Sequence, residues 1–237
     1  PPWSSSWKQW VPNTQAQNQI PVGSFFADLS TLGGELPPNN LFSVHGKKQL
    51  TLPFSATLPN DASMSITSSR KYREFCVSFL QNAMLRVMTS LPPGKAHFTL
   101  IDPVGLGQSF AGVLHLADYE ESQLLDRSWT EPRHIEKQLS ILTEHMESVI
   151  QKYLRNDFES IDEYNEQACE IAEPYRFLVI ADFPTNFTEN SVKRLTSIIT
   201  SGARCGVHVI LHRDASIHLP SGIDEDTLQT IPLRIIE

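Results

Sequence analysis

The sequence predicts an α/β fold, a mainly parallel sheet with helices on both faces, preceded by a small irregular or β subregion. Three observations carry this expectation. From Met64 onward, short apolar runs alternate with longer segments of helical periodicity. HFTLID (97–102) and FLVIA (177–181) are nearly continuous in apolar residues, as strands buried on both faces are. The spacers between runs are long enough for helical crossovers.

The elements follow in order. Residues 1–22 are polar and Pro-rich, carry Trp3, Trp7 and Trp10, and show no periodicity. They read as a linker or arm whose tryptophans pack back on the domain or form a sticky edge. Residues 23–63 alternate apolar runs with turns such as Gly33-Gly34 and Pro37-Pro38-Asn39-Asn40, and QLTLPF (49–54) reads as a strand. Residues 64–237 form the main domain. A helix is expected from about Lys71 to Ser90, with Phe75, Phe79, Leu80, Met84 and Val87 on one stripe, stopped by Pro92-Pro93-Gly94.

The next helix starts near Thr130-Glu131-Pro132, in the order cap, acid, proline. Ile135, Leu139, Leu142, Met146, Val149 and Tyr153 then make one apolar face of about six turns. Ser160-Ile161-Asp162-Glu163 has capping-box spacing and opens a shorter helix. After FLVIA come a helix from Thr188 to about Ser201, closed by Gly202, and the strands VHVIL (207–211) and LRII (233–236).

The composition excludes several classes. Of the 237 residues, 40% are hydrophobic and 19% charged, which suits a globular core. No run approaches the ~20 apolar residues of a membrane span, so no membrane contact is expected. Net charge is −8, with 27 acidic against 19 basic residues, so no overall field draws the chain to nucleic acid. Cys76, Cys169 and Cys205 are too far apart for a metal motif or disulfide framework, which fits a reducing cytoplasm. The chain opens Pro1-Pro2-Trp3 without methionine, from which we expect a piece of a longer protein.

In a parallel sheet, function collects at the carboxyl ends of the strands. Four such ends can be read: MSITSSRKYREF (64–75), with Arg70, Lys71 and Arg73; Asp102-Pro103; Asp182; and His212-Arg213-Asp214. An aspartate after four apolar residues, as in LVIAD, suits a carboxylate that holds Mg²⁺ through water, although strands also end on aspartate for turn reasons.

Several segments together resemble the motor domain of the FtsK/SpoIIIE DNA translocases, RecA-like P-loop ATPases. HFTLIDPVGLGQSFAGVLHL (97–116) is similar to their strand ending in I-D-P and the segment leading to G-[IV]-x-H-L. The helix 132–155 with Tyr164-Asn165, RFLVIADF (176–183), SGARCGVHVIL (201–211) and TIPLRI (230–235) follow in family order over about residues 64–237.

The resemblance implies a RecA-like sheet and a nucleotide site, but the residues depart from its pattern. The family's G-x-x-x-x-G-K-[ST] loop falls on RKYREFCV (70–77), which has none of its glycines, lysine or hydroxyl. Tyr72 and Phe75 are expected to block the approach of phosphate. Arg70, Lys71 and Arg73 could still attract an anion, although a solvated helix start is the plainer reading. If Asp182 holds the metal, Phe183 stands where the catalytic glutamate belongs. If Asp182 replaces the glutamate, Ala181 stands where the metal aspartate belongs. Either way one carboxylate is missing.

Arg204 falls where such motors carry an arginine that reaches a neighbour's nucleotide; a surface arginine is the alternative. Asp102 is the other strand-end candidate. His115 and His208 read as satisfied core residues, Arg234 as part of an ion pair. The expectation is a degenerate motor domain, structural or regulatory, that binds no cofactor itself, or Mg-ATP if the site works. Its implied partners are an active ATPase module of the same parent protein, a homo-oligomeric ring and, by resemblance only, double-stranded DNA. Two alternatives remain. One is a working ATPase with an unusual phosphate loop. The other is a secretion module, of the type VII-like kind, that binds a peptide signal in the vacated pocket.

Overall fold

The computed structural model describes residues 9–17, 19–28, 49–116, 124–155, 158–168 and 172–236. Trp3, Trp7, Cys169 and the turns at 33–40 lie outside the described residues.

A six-stranded sheet in the order β5-β4-β6-β7-β3-β8 forms the centre, and every neighbouring pair runs parallel. Its strands are β3 (Met64–Ser68), β4 (Ala96–Ile101), β5 (Leu125–Trp129), β6 (Tyr175–Phe183), β7 (Val207–Asp214) and β8 (Leu233–Ile236). A separate antiparallel ribbon pairs β1 (Gln19–Asp28) with β2 (Gln49–Thr57). The chain moves one way along the sheet from β3 through α1 (Arg73–Ser90) to β4. It moves the opposite way from β6 through α5 (Glu189–Ser201) to β7. Right-handed crossovers in opposite directions place α1 and α5 on opposite faces. The short α2 (Ala111–Leu114) follows β4, α3 (Pro132–Lys152) packs against α5, α4 (Ile161–Ala168) precedes β6, and α6 (Glu225–Gln229) precedes β8.

The periodicity that predicts α3 is realised at five of its six positions: Ile135, Leu139, Leu142, Met146 and Val149 are buried, while Tyr153 is the C-cap residue and half-buried. Its cap differs. Glu131 takes the N-cap position and no side chain caps the helix there. In α4 the acidic partner of the capping box is shifted, since the Glu163 carboxylate accepts the amide of Glu159 at 2.7 Å.

The stripe of α1 is rotated from expectation. Cys76, Val77, Leu80, Ala83, Met84 and Val87 face the core, while Phe75 is 65% exposed. The helix begins at Arg73, and that start sets Cys76 and Leu80 on the sheet and turns Phe75 and Tyr72 to the surface. Asn13 donates to the Thr89 carbonyl and Gln17 to that of Ser90, so residues 13–17 lie against the end of α1. Trp10 is 44% exposed.

Gly202 closes α5 with φ −67°, so no left-handed cap is involved. Closeness makes the glycine necessary: a Cβ there would stand 2.4 Å from the Ile198 carbonyl oxygen and 2.5 Å from that of Val207.

Three single-residue expectations are corrected. His115 is exposed just past α2, because that segment is helical surface rather than a strand. Arg234 is exposed on the edge strand β8 and forms no ion pair among the described residues. His208 is fully buried as expected, yet neither ring nitrogen has a hydrogen-bond partner. Its ring lies 5.3 Å from Phe177 and 6.0 Å from Tyr175, in an apolar slot where nothing can accept from it.

Burial holds the His208 imidazole down to about 3. A base depressed in the fold lends full stability above its unfolded value of 6.5, and that stability is lost as pH falls from there toward 3. At pH 5 the loss amounts to about 2 kcal/mol. His208→Leu removes the titration and two unpaired nitrogens, so its stability at pH 7 should match or exceed wild type. Urea titrations from pH 7 to 5 should give a flatter pH dependence for the variant; parallel curves would contradict this account.

Candidate functional site

The carboxyl ends of β4, β6, β7 and β3, four consecutive positions in the sheet, bring the strand-end residues together. β6 ends irregularly: its register with β7 shifts between Ile180 and Phe183, and Asp182 sits in the left-handed region at φ 57°. Aspartate tolerates this conformation, and such a bulge re-aims one side chain out of the pleat. The Asp182 carboxylate therefore points along the site while Ala181 and Phe183 are sealed in the core.

At the junction of β3 and α1, only Ser69–Tyr72 separate strand from helix, and Arg70–Tyr72 form a 3-10 turn. No residue of this junction has a positive φ. The Tyr72 amide donates to the Ser69 carbonyl and the Arg70 amide to Ser216 Oγ, so the turn offers no ring of free N–H groups of the kind that cradles phosphate. The side chains of Arg70 and Lys71 are exposed, and the Lys71 ammonium stands 5.1 Å from the Tyr72 ring centre. Tyr72 and Phe75 lean outward; the shortness of the turn, rather than their bulk, removes the cradle.

Arg73, the first residue of α1, turns inward and is not solvated as the sequence suggests. Its guanidinium forks onto Asp182, with Nε 2.8 Å from Oδ1 and Nη2 2.7 Å from Oδ2. The same Nη2 donates to Ser109 Oγ at 2.9 Å and lies 3.4 Å from Asp102 Oδ1. Bidentate geometry of this kind is the strongest that a carboxylate and arginine form. Burial pushes the Asp182 carboxyl up, but the nearby His212 and the hydrogen bonds and charge of the Arg73 guanidinium overcome it and hold the group below the ordinary value. The bond to Asp182 raises Arg73 in turn, against its own partial burial.

Asp102 is fully buried at the end of β4 and acts as a hub. It accepts the amides of Gly105 and Gly107 at 2.9 Å, the amide of Ser109 at 3.0 Å and the Ser109 hydroxyl at 3.0 Å. The loop thus wraps its own N–H groups around an internal carboxylate. Gly105 is required for the wrap, because a Cβ there would fall 2.5 Å from the Asp102 carboxylate and 2.4 Å from Ser109 Oγ. The spacing Asp-x-x-Gly-x-Gly-x-Ser is the signal in the sequence that could have disclosed the hub.

His212, buried on β7, continues the network. The Asp182 amide donates to its Nδ1 at 3.2 Å, that nitrogen stands 3.4 Å from Asp182 Oδ1, and Nε2 lies 3.4 Å from Ser68 Oγ. Arg213 turns away, donating to the carbonyl of Ile217 and pairing with Glu225. Arg204 is exposed in the turn before β7, at the amino end of the strands and therefore at the pole opposite Asp182.

A magnesium-nucleotide site in this fold needs a lysine on the phosphates, free amides around them and a carboxylate open to the metal. Asp182 has the right position, but its two oxygens are held by Arg73, and the Arg70 and Tyr72 amides of the turn are in use. Among the described residues no group of three or more His, Cys, Asp or Glu could hold a metal ion. The residues present do not fit Mg-ATP.

No protein-family model and no curated protein matches the sequence. Solved structures do match its fold. EssC (ATPases 2 and 3) from Geobacillus thermodenitrificans superposes with a TM-score of 0.57 at 15% identity, over 95% of this chain and 38% of that one. EccC (ATPases 2 and 3) of Thermomonospora curvata, in complex with a signal sequence peptide, gives 0.54 at 14% identity over 79% and 33%. The pCW3 conjugation coupling protein TcpA, in its monomer form with ATPγS, gives 0.57 at 15% identity over 78% and 51%. This chain therefore spans from a third to about half of these three solved chains. Its fold is the RecA-like α/β fold of the FtsK/SpoIIIE-type ATPase domains.

Proposed function

We propose that this domain is a non-hydrolysing RecA-like module that serves a structural or regulatory role beside an active ATPase module of a longer parent protein. The observation that supports this reading best is the Arg73 fork on Asp182: a guanidinium takes the place that a metal ion and phosphate would share. A fixed cation next to the metal carboxylate repels Mg²⁺, and the 3-10 turn supplies no phosphate cradle. The two carboxylates and Arg73 then hold the ends of β4 and β6 to α1 as a permanent ion pair.

In a ring of such modules, Arg204, exposed at the opposite pole, would act on the nucleotide of a neighbour. The acidic balance of the chain lends no support to DNA contact. The reading is tested in the parent protein by measuring ATP turnover with two variants. Arg73→Met/Asp182→Leu, which replaces the pair by apolar groups, should leave turnover within about twofold of wild type. Arg204→Ala should lower it by about tenfold or more, as loss of a trans-acting arginine does. Loss of turnover in the first variant, with the fold intact, would overturn the non-hydrolysing reading.

A second reading rests on a specific observation. Ile66, Tyr72, Phe75, Cys76, Ile235 and Ile236 line an apolar groove of about 330 Å³ beside the edge strand β8. EccC, which shares the fold, was solved with a signal sequence peptide. A module that holds an apolar peptide signal in this groove is the alternative role for the domain.

A further inference from the structure

β8 is the last strand of the sheet, and among the described residues it pairs on one side only, with β3. The Leu233 amide donates to the Ser63 carbonyl, so Leu233 and Ile235 turn their backbone groups toward β3. Direction alternates along a strand, and Arg234 and Ile236 therefore turn their N–H and C=O groups outward. Folded proteins blunt such an edge with charge, proline or a covering element. Within β8 the only such device is Arg234, and Ile236 next to the edge is 74% exposed.

The apolar groove adjoins this edge. Ile66 of β3 and Ile235 of β8, which are register partners, share one face of the sheet and line it. Tyr72, Phe75 and Cys76 at the start of α1 line it from the helix side, and the first two are exposed. An open row of backbone groups beside an apolar groove selects its occupant. A helix has spent its own N–H and C=O groups, whereas an extended segment offers them to the edge. Every second side chain of an added strand then falls on the groove face, as Ile66 and Ile235 do. The exposed charges nearby are mainly basic, Arg70, Lys71 and Arg234 with Glu74 among them, in a chain whose net charge is −8.

We propose that β8 and the groove form one docking site, where an extended segment of a partner protein adds to the sheet as a further strand. Its alternate residues are apolar and enter the groove, and an acidic residue meets Lys71, whose ammonium stands 5.1 Å from the Tyr72 ring centre. The inference rests on the peptide-holding reading of the groove and deepens it, by fixing the conformation and chemistry of the occupant.

The test uses the whole chain and a soluble peptide of about seven residues, valine alternating with threonine and glutamate at each end. Binding should saturate, and the amides of Arg234 and Ile236 should exchange with solvent at least about tenfold more slowly in the complex. The same peptide N-methylated at every backbone amide keeps its side chains and loses its donors, and it should not bind. Arg234→Pro, which removes an outward donor and leaves the ladder to β3 intact, should abolish binding of the first peptide. Phe75→Ser, at an exposed position, should weaken it by about tenfold. Binding that the methylated peptide retains, with exchange of Arg234 and Ile236 unchanged, would overturn strand addition while leaving the groove as a peptide holder. Failure of either peptide to saturate would overturn both. Protection of Arg234 and Ile236 that grows with the concentration of the chain alone would make a second copy the occupant and overturn the partner assignment.

Discussion

Replacing Arg73 by alanine is expected to destabilise the domain by about 2–3 kcal/mol at pH 7 and to shift the slope of its stability against pH relative to wild type. Breaking a buried pair by removing one member costs about 3–5 kcal/mol because a charge is left behind. The figure is discounted because the Arg73 side chain keeps 23% exposure. In wild type the Asp182 carboxyl is held below its ordinary value of 3.8. Its contribution is therefore complete above about pH 4 and is lost as pH falls through the lower folded value. In Arg73→Ala the same carboxyl is buried with no cation, so burial raises it and the folded state takes up a proton more readily than the unfolded chain. The deficit of the variant relative to wild type should then shrink as pH falls from 7 to 5, on top of the loss that both share through His208. Adding Asp182→Ala should recover much of the loss, with a coupling of ~1–3 kcal/mol in a double-mutant cycle. Chemical denaturation at several pH values measures all of this, and a variant that tracks wild type between pH 7 and 5 would show that Arg73 does not neutralise Asp182.

Asp102→Asn should be at least as damaging, by about 3–4 kcal/mol. Four donors converge on two carboxylate oxygens. An asparagine keeps one acceptor and turns an NH₂ group toward amides that cannot accept. The hydrogen bonds lost are charge-assisted, worth about 1.5–3 kcal/mol each, and the buried amides are left unpaired. Hydrogen exchange should localise the damage: amides of Gly105, Gly107 and Ser109 lose protection before those of β6. A cost below about 1 kcal/mol would mean that the loop is held by its packing and not by the carboxylate.

Much of the sheet is written locally. FLVIA has no polar position at which a second face could meet water and VHVIL has only His208, so they are central strands, and the five spaced apolar residues of α3 leave little alternative to a helix. β5 is harder to read: Leu125–Trp129 contains an aspartate and an arginine, and only its place at the sheet edge makes it a strand. The site divides in the same way. That Asp102 and Asp182 end strands is visible in sequence, and so is the loss of the phosphate loop. That Arg73 fills the space is not, because its partner lies 109 residues away and is aimed by a backbone bulge that no residue pattern announces. The rotation that turns Phe75 outward belongs to the same event. With Arg73 fixed to Asp182, the start of α1 is set by an ion pair, and the apolar stripe begins at Cys76.

Calorimetric titration of Mg-ATP into the purified chain tests the central claim most directly, with Asp182→Ala as the companion. The Arg73 fork predicts no saturable heat at millimolar nucleotide for either protein. Stoichiometric binding that Asp182→Ala abolishes would contradict it, because the carboxylate would then be free to hold a metal and Arg73 would be a ligand of the phosphates rather than their replacement.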